Sequence, residues 1–272
     1  MKWVLLWAGC FCAYGQAVFD AASIKPHDPN DTNRIFPHFL PGGRFVSRGM
    51  PLRFVISVAY NVGFQSVRLS HGPDWAWAPD QAYDIEATAS AGVFSPGMGS
   101  KPRAQRERQM LQALLADRFR LKIHPESKEM PVYALVVAKS GSRLDKSKIE
   151  EKDCGRESAT VSCHTIQGGR GRGLHGEAVT LDDIASYVEN WTDRPLLNKT
   201  GIAGLFNVQT SGWLDLQPGP PPPGGAKGES GAYLADMPTL PQVFDKLGLK
   251  MEQQRAKVEV FVIDNLARPT AN

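Results

Sequence analysis

Two stretches of this chain begin alike, and that likeness restricts its fold more than any other feature. At Met50-Pro51-Leu52-Arg53-Phe54-Val55-Ile56, and again at Val179-Thr180-Leu181-Asp182-Asp183-Ile184-Ala185, a short extended piece turns into a helix. Pro51 suits a helix opening, where its missing N–H costs nothing. Thr180 with Asp183 three positions on resembles a capping box in which Asp replaces the usual Glu. Leu52, Val55, Ile56 and Ala59 fall at i, i+3, i+4 and i+7, and Leu181, Ile184, Ala185 and Val188 repeat that spacing. Each set predicts one buried stripe.

The parallel extends in both directions. Gly43-Arg44-Phe45-Val46 leads into the first helix and Arg172-Gly173-Leu174-His175 into the second. Tyr83-Asp84-Ile85-Glu86-Ala87 and Phe206-Asn207-Val208-Gln209-Thr210 then alternate apolar and polar, as half-buried strands do. Second helices are predicted over Gln105 to Arg118 and Leu240 to Leu247. Each half is expected to close in a β-hairpin: Leu121–His124 with Val132–Val137, and Leu249–Glu252 with Val258–Ile263. The expected fold is α+β, two tandem related β-α-β-α-β-β units with mainly antiparallel sheets and helices over one face. The shared order of elements points to an internal duplication.

Glycine (26) and proline (20) are concentrated in three stretches, so these read as linkers: residues 90–104, 139–172 and 215–230. The last holds Pro220 to Pro223, which excludes a central strand or a helix interior there. The resulting organisation is a signal peptide at 1–17, a first half at 18–140, a Cys-containing linker at 141–172, and a second half at 173–272 with a Pro/Gly-rich loop at 215–230.

The signal peptide rests on Lys2, an apolar run from Trp3 to Ala13, and small residues at Ala13, Gly15 and Ala17 that suit a cleavage site. The run is too short to span a bilayer, and no transmembrane segment is expected in the mature chain. Leu6-Trp7-Ala8-Gly9-Cys10 departs from a lipoprotein box at Trp7, leaving lipidation at Cys10 a minority reading. Cleavage would remove Cys10 and Cys12 and leave Cys154 and Cys163, an even pair in an oxidising compartment, which reads as a disulfide. A metal pair with His164 is the alternative, but adjacent Cys163 and His164 do not readily aim at one ion, and further ligand spacing is absent.

A set of motifs resembles a known family: Phe19-Asp20-Ala21-Ala22-Ser23-Ile24-Lys25-Pro26, Tyr83-Asp84-Ile85-Glu86-Ala87, Leu114-Leu115-Ala116-Asp117-Arg118-Phe119-Arg120-Leu121, Pro131-Val132-Tyr133-Ala134-Leu135-Val136-Val137, Asn198-Lys199-Thr200-Gly201 and Val262-Ile263-Asp264. Together they are similar to a large uncharacterised family of secreted acidobacterial proteins, a domain of unknown function, over about Phe19 to Pro269. The resemblance implies export and, for some members, fusion to a membrane metallopeptidase of the β-lactam-sensor type. It implies no activity, ligand or catalytic residue.

Familiar hydrolase signatures are missing. The chain has no Gly-x-Ser-x-Gly, no Ser-x-x-Lys and no His-Glu-x-x-His. The six histidines, His27, His38, His71, His124, His164 and His175, read as isolated and exposed. Gly168 to Gly173 lacks the Lys-Ser/Thr of a phosphate loop, and Arg170 and Arg172 would keep it solvated. Asp84 and Glu86 share a strand face without an evident acid/base partner. No catalytic residue, cofactor or metal ligand is therefore assigned.

Two surface features remain. Trp75, Trp77 and Phe64 flank Gly72-Pro73-Asp74 and could form a binding platform or plug the first core. Arg106, Arg118 and Arg120 belong to a basic cluster that reads first as a solvated helix face and, more sharply, as a contact for an anionic envelope polymer. The net charge of +3 is too small to argue for nucleic acid. The expected function is an exported, non-catalytic binding or sensory module, located in the periplasm or secreted, with an envelope protein or anionic polymer as partner. A secreted enzyme with a site between the halves and a self-associating structural protein are the alternatives.

Overall fold

The computed structural model describes residues 17–95, 97–154, 163–214 and 237–269. Residues 1–16 of the expected signal peptide, with Cys10 and Cys12, and the Pro220–Pro223 run lie outside the described residues. In chain order the first half contributes β1 (Phe19–Pro26), β2 (Ile35–Leu40), β3 (Arg44–Pro51), α1 (Leu52–Tyr60), β4 (Leu69–Ser70), β5 (Ala82–Ala89), α2 (Ser100–Arg118) and β6 (Lys122–Val137). The second contributes β7 (Asp145–Lys146), β8 (Gln167–Gly169), β9 (Gly173–Val179), α3 (Leu181–Val188), β10 (Leu196–Asn198), β11 (Phe206–Gln209), α4 (Leu240–Lys246) and β12 (Leu249–Asn265). The fold is α+β with mostly antiparallel sheets, as the alternating patterns predict. Among the described residues three four-stranded sheets form, ordered β1-β5-β3-β2, β10-β6-β12-β4 and β7-β11-β9-β8.

The helix stripes are buried as their spacing requires. Leu52, Val55, Ile56 and Ala59 of α1 are fully enclosed, and so are Leu181, Ile184, Ala185 and Val188 of α3. Pro51 precedes α1, and Asn61 closes it in the left-handed conformation that Asn tolerates. At α3 the capping box is complete: the Asp183 N–H donates to Thr180 Oγ1 (3.1 Å) and the Thr180 N–H to Asp183 Oδ2 (2.7 Å). Helix α2 begins at Ser100, inside the stretch read as a linker, and its first turn accommodates Pro102. Residues 141–172 also contain more structure than a linker, because β7 and β8 join the sheet of the second half. The glycines there have a steric reason. A side chain on Gly168 would place its Cβ 1.9 Å from the Gly173 carbonyl oxygen, so the β8–β9 hairpin closes only with glycine.

The expected terminal hairpins do not form. Leu121-His124 leads straight on through Val132–Val137 in the 16-residue β6, and β12 is likewise one strand of 17 residues. The intervening Pro125-Glu126-Ser127-Lys128-Glu129 and Gln253-Gln254-Arg255-Ala256-Lys257 contain no Gly or Asn to take up the positive φ of a tight hairpin turn. Each strand instead stays extended over roughly 50 Å. The two pair with each other antiparallel, from Leu249 opposite Val137 to Asn265 opposite Lys122.

This pairing interlocks the halves. The first core joins Leu52, Ile56, Ile85, Leu111, Leu115 and Phe119 to Ile263 at the far end of β12. The second joins Leu174, Leu181, Ile184, Val243 and Phe244 to Tyr133 and Leu135 at the far end of β6. Each long strand starts in its own half and finishes in the other's core. Unfolding is therefore expected to be a single transition, with near-ultraviolet and far-ultraviolet circular dichroism sharing one midpoint. Ile263→Ala, although it lies in the second half of the sequence, should destabilise the whole protein by about 2–4 kcal/mol. Two separate transitions, with only one shifted by the substitution, would contradict the interlock.

Candidate functional site

A buried ion pair joins the halves beside α3. Arg68 lies at the start of β4, and its Nε and Nη2 donate to Oε1 and Oε2 of Glu189 at 2.8 and 3.0 Å. Glu189 is 1% exposed and also accepts from the Ser66 hydroxyl. Next to it, Asn190 Oδ1 accepts from the Phe64 N–H (2.8 Å), while its Nδ2 donates to the Tyr187 carbonyl (2.8 Å). A two-pronged guanidinium–carboxylate pair with extra hydrogen bonds fixes orientation as well as distance. It holds the 63–68 segment of the first half against the end of α3.

Above this lock α1 and α3 face each other across a cavity of about 420 Å³. Phe54, Ser57, Val58 and Asn61 line it from α1, and Asp183, Ser186, Tyr187 and Asn190 from α3. These positions correspond: Phe54 stands to Leu52 as Asp183 stands to Leu181, and the others follow in step. Two of the four pairs are identical, Ser57 with Ser186 and Asn61 with Asn190, while Phe54 stands against Asp183 and Val58 against Tyr187. One wall is aromatic, with Phe54 and Phe64 stacked (5.0 Å between centroids) and Phe36 set edge-on to Phe54 (5.7 Å). Phe36 is 58% exposed at the rim. The opposite wall is polar, and α2 adds Glu107 and Arg108. Ser57 is buried, and its hydroxyl has no hydrogen-bond partner among the described residues.

The polar wall is organised around His164. Its Nδ1 lies 2.7 Å from Asp183 Oδ2, and its Nε2 lies 3.2 Å from Glu151 Oε1. The Cys154–Cys163 disulfide forms, with Cα atoms 5.7 Å apart, and ties His164 to the residues that follow Glu151. The hydrogen bond that the His164 ring donates to Asp183 raises the His164 pKa above its ordinary value, outweighing burial, and Glu151 adds to the effect. Burial alone would raise Asp183, but hydrogen bonds from His164 and Thr180 hold it below the usual carboxylate range. His164 is therefore partnered at both ring nitrogens, not the isolated exposed histidine that the sequence suggested. Its adjacency to a bridged cysteine was the available signal.

Of the aromatic and basic residues singled out from sequence, Phe64 lines the cleft and the others lie elsewhere. Trp75 and Trp77 are half-buried against the first core; Trp75 meets Tyr83 edge-on at 6.4 Å. Arg268 covers Trp75 at 5.2 Å, and Arg53 covers Trp77 at 4.9 Å. Arg106 donates to the Val93 carbonyl (2.7 Å), Arg118 ends α2 half-buried, and Arg120 follows it exposed. None of these five lines the cleft. Asp84, by contrast, has a partner that sequence reading missed: its Oδ1 lies 2.7 Å from His27 Nδ1 and accepts from the Gly49 N–H at 2.9 Å. That network ties β1, β3 and β5 together at one end of their sheet.

A larger cavity of about 670 Å³ runs over the sheet of the second half, lined by Arg143, Asp145, Gln167, His175, Glu177 and Gln209. It is a trough on the polar outer face of a sheet, where such residues are expected for solvation. The cleft is the stronger candidate because it gathers an aromatic wall, an orphan hydroxyl and a coupled histidine. Among the described residues no three His, Cys, Asp or Glu side chains are grouped to hold a metal ion, and no helix is long and apolar enough to cross a membrane.

These features define an α+β protein of two interlocked halves with a cleft between matched helices. Residues 53–266, from α1 to just past the end of β12, match the model of the family described as protein of unknown function (DUF3738), and the chain belongs to that family. No curated protein matches the chain, and no solved structure does.

The His164 pair gives stability a defined pH dependence. A raised folded-state pKa contributes fully below the ordinary histidine value and is lost as pH rises through the folded value. Urea midpoints should therefore fall as the pH rises above the ordinary histidine value of about 6.5, and His164→Gln should flatten that decline. An equal decline in both proteins would remove His164 from the account.

Proposed function

We propose that this chain is a non-catalytic binding or sensory module of the cell envelope, with the α1–α3 cleft as its binding site. The observation that carries this reading is the cleft's asymmetry: an aromatic wall with a buried, unpartnered hydroxyl faces a polar wall that is already internally paired. Apolar pockets with a few placed polar groups are the usual form of small-molecule sites. The internal pairing argues against catalysis. A general base needs a free lone pair directed at its proton, whereas both nitrogens of His164 face carboxylates.

Export belongs to the same proposal. Its support is the charged and apolar start of the chain and a disulfide, which persists in oxidising compartments. Duplication is likewise proposed, supported by the matching orders β1-β5-β3-β2 and β7-β11-β9-β8 and by the corresponding positions of α1 and α3 on the cleft. An envelope protein or anionic polymer as the eventual partner, and the acidobacterial and peptidase-fused relatives implied by the resemblance, remain proposals of the same kind.

Titration of oxidised residues 18–272 with the neutral fluorophore N-phenyl-1-naphthylamine tests the site. Saturable binding to one site is expected, weakened about tenfold by Phe54→Ala and measurably by Phe36→Ala, whose exposed ring can be lost without unfolding the protein. Val137→Ser, at an exposed apolar position outside the cleft, should leave it unchanged. Absence of saturable binding, or binding indifferent to Phe54 and Phe36, would count against the cleft.

A further inference from the structure

We propose that the cleft receives a zwitterion: a free amino acid or short peptide with an apolar side chain. Its carboxylate would meet Arg108, its ammonium Glu107, and its apolar body the ring of Phe54. The inference rests on the reading of the cleft as a binding site and names what that site selects.

Most of the half-buried charges around the halves are paired. Arg68 has Glu189, and His164 has Asp183 and Glu151. Glu107 and Arg108 are the exceptions on the cleft. Both are half-buried on its α2 side, yet neither has a hydrogen bond or ion pair to any described residue. Burial raises the Glu107 carboxyl, against the fields of Arg103 and Arg108, and burial lowers the Arg108 guanidinium, against the field of Glu107. Each shift records a charge taken partly from water, a cost that the opposite charges beside it offset only in part.

The two charges do not satisfy each other. Consecutive residues of a helix project about 100° apart and do not face one another, so carboxylate and guanidinium diverge. A simple anion would reach Arg108 but bring its charge toward Glu107. A simple cation would do the reverse. A molecule carrying both signs relieves both groups, and Arg is suited to a carboxylate because its planar fork binds both oxygens. Beside these charges lie the stacked Phe54 and Phe64 for an apolar side chain and the unpartnered Ser57 hydroxyl for a peptide carbonyl or amide. The cavity, about 420 Å³, is of the size that small-molecule sites occupy.

Four forms of one dipeptide test this by calorimetry at about pH 7, where its α-amino group is mostly charged. They are phenylalanyl-leucine, its N-acetyl form, its C-terminal amide, and the form blocked at both ends. The free zwitterion should bind most tightly, and loss of either charge should weaken binding roughly ten- to a hundred-fold. Arg108→Gln should abolish the preference for the free carboxylate and keep the preference for the free ammonium. Glu107→Gln should do the opposite. Equal binding of all four forms, binding of none, or preferences that persist in both variants would overturn the inference. If the peptides fail while N-phenyl-1-naphthylamine still responds to Phe54→Ala, the zwitterion falls and the cleft stands; if both fail, the cleft falls with it.

Discussion

Everything in this fold depends on the antiparallel pairing of β6 with β12. The two strands run side by side for their whole length, and each supplies apolar residues to both cores. Neither half can complete its core alone, because Ile263 belongs to the first and Leu135 to the second. Burial of apolar area is the main favourable term in folding, so sharing those residues couples the halves thermodynamically. It also fixes where α1 and α3 lie, since both pack on sheets whose placement follows the central ribbon.

The ribbon brings the halves together; the polar contacts beside it set their register. Arg68 and Glu189 pay a desolvation cost that hydrophobic packing would avoid. Their two parallel hydrogen bonds, with Ser66 and Asn190, admit one orientation of the 63–68 segment against α3. The cleft inherits its shape from that arrangement. Corresponding helix faces form it, but Phe54 stands where the other half has Asp183, and Val58 where it has Tyr187. Those two differences, with the serine and asparagine positions shared, yield a pocket with one apolar side and one polar side.

Much of the local structure was legible because its signals are local. The i, i+3, i+4, i+7 stripes, the Thr180–Asp183 box and the Cys154–Cys163 pair each depend on residues close in sequence. The hairpins were misread for a related reason. An alternating run looks the same in a hairpin arm and in one long strand, and only the lack of Gly, Asn or Asp at 125–129 and 253–257 distinguishes them. Of the cleft's aromatic wall only Phe64 was singled out from sequence, and the cavity itself was not legible. Arg68 and Glu189 are 121 positions apart, and Ser57 and Ser186 are ordinary helix residues until the halves meet. Trp75 and Trp77 drew attention through their Gly-Pro setting, yet their rings rest on the first core, while the aromatic wall of the cleft is built from phenylalanines on three separate segments.

Amide chemical-shift mapping of the oxidised, nitrogen-15-labelled protein against a panel of small apolar, peptide and sugar compounds addresses the cleft most directly. The account requires that any compound that binds shift residues of α1 and α3 together, with Ser57, Asn61, Ser186 and Tyr187 among the most affected. Shifts confined to the trough around His175 and Gln209, or none with any compound, would contradict it.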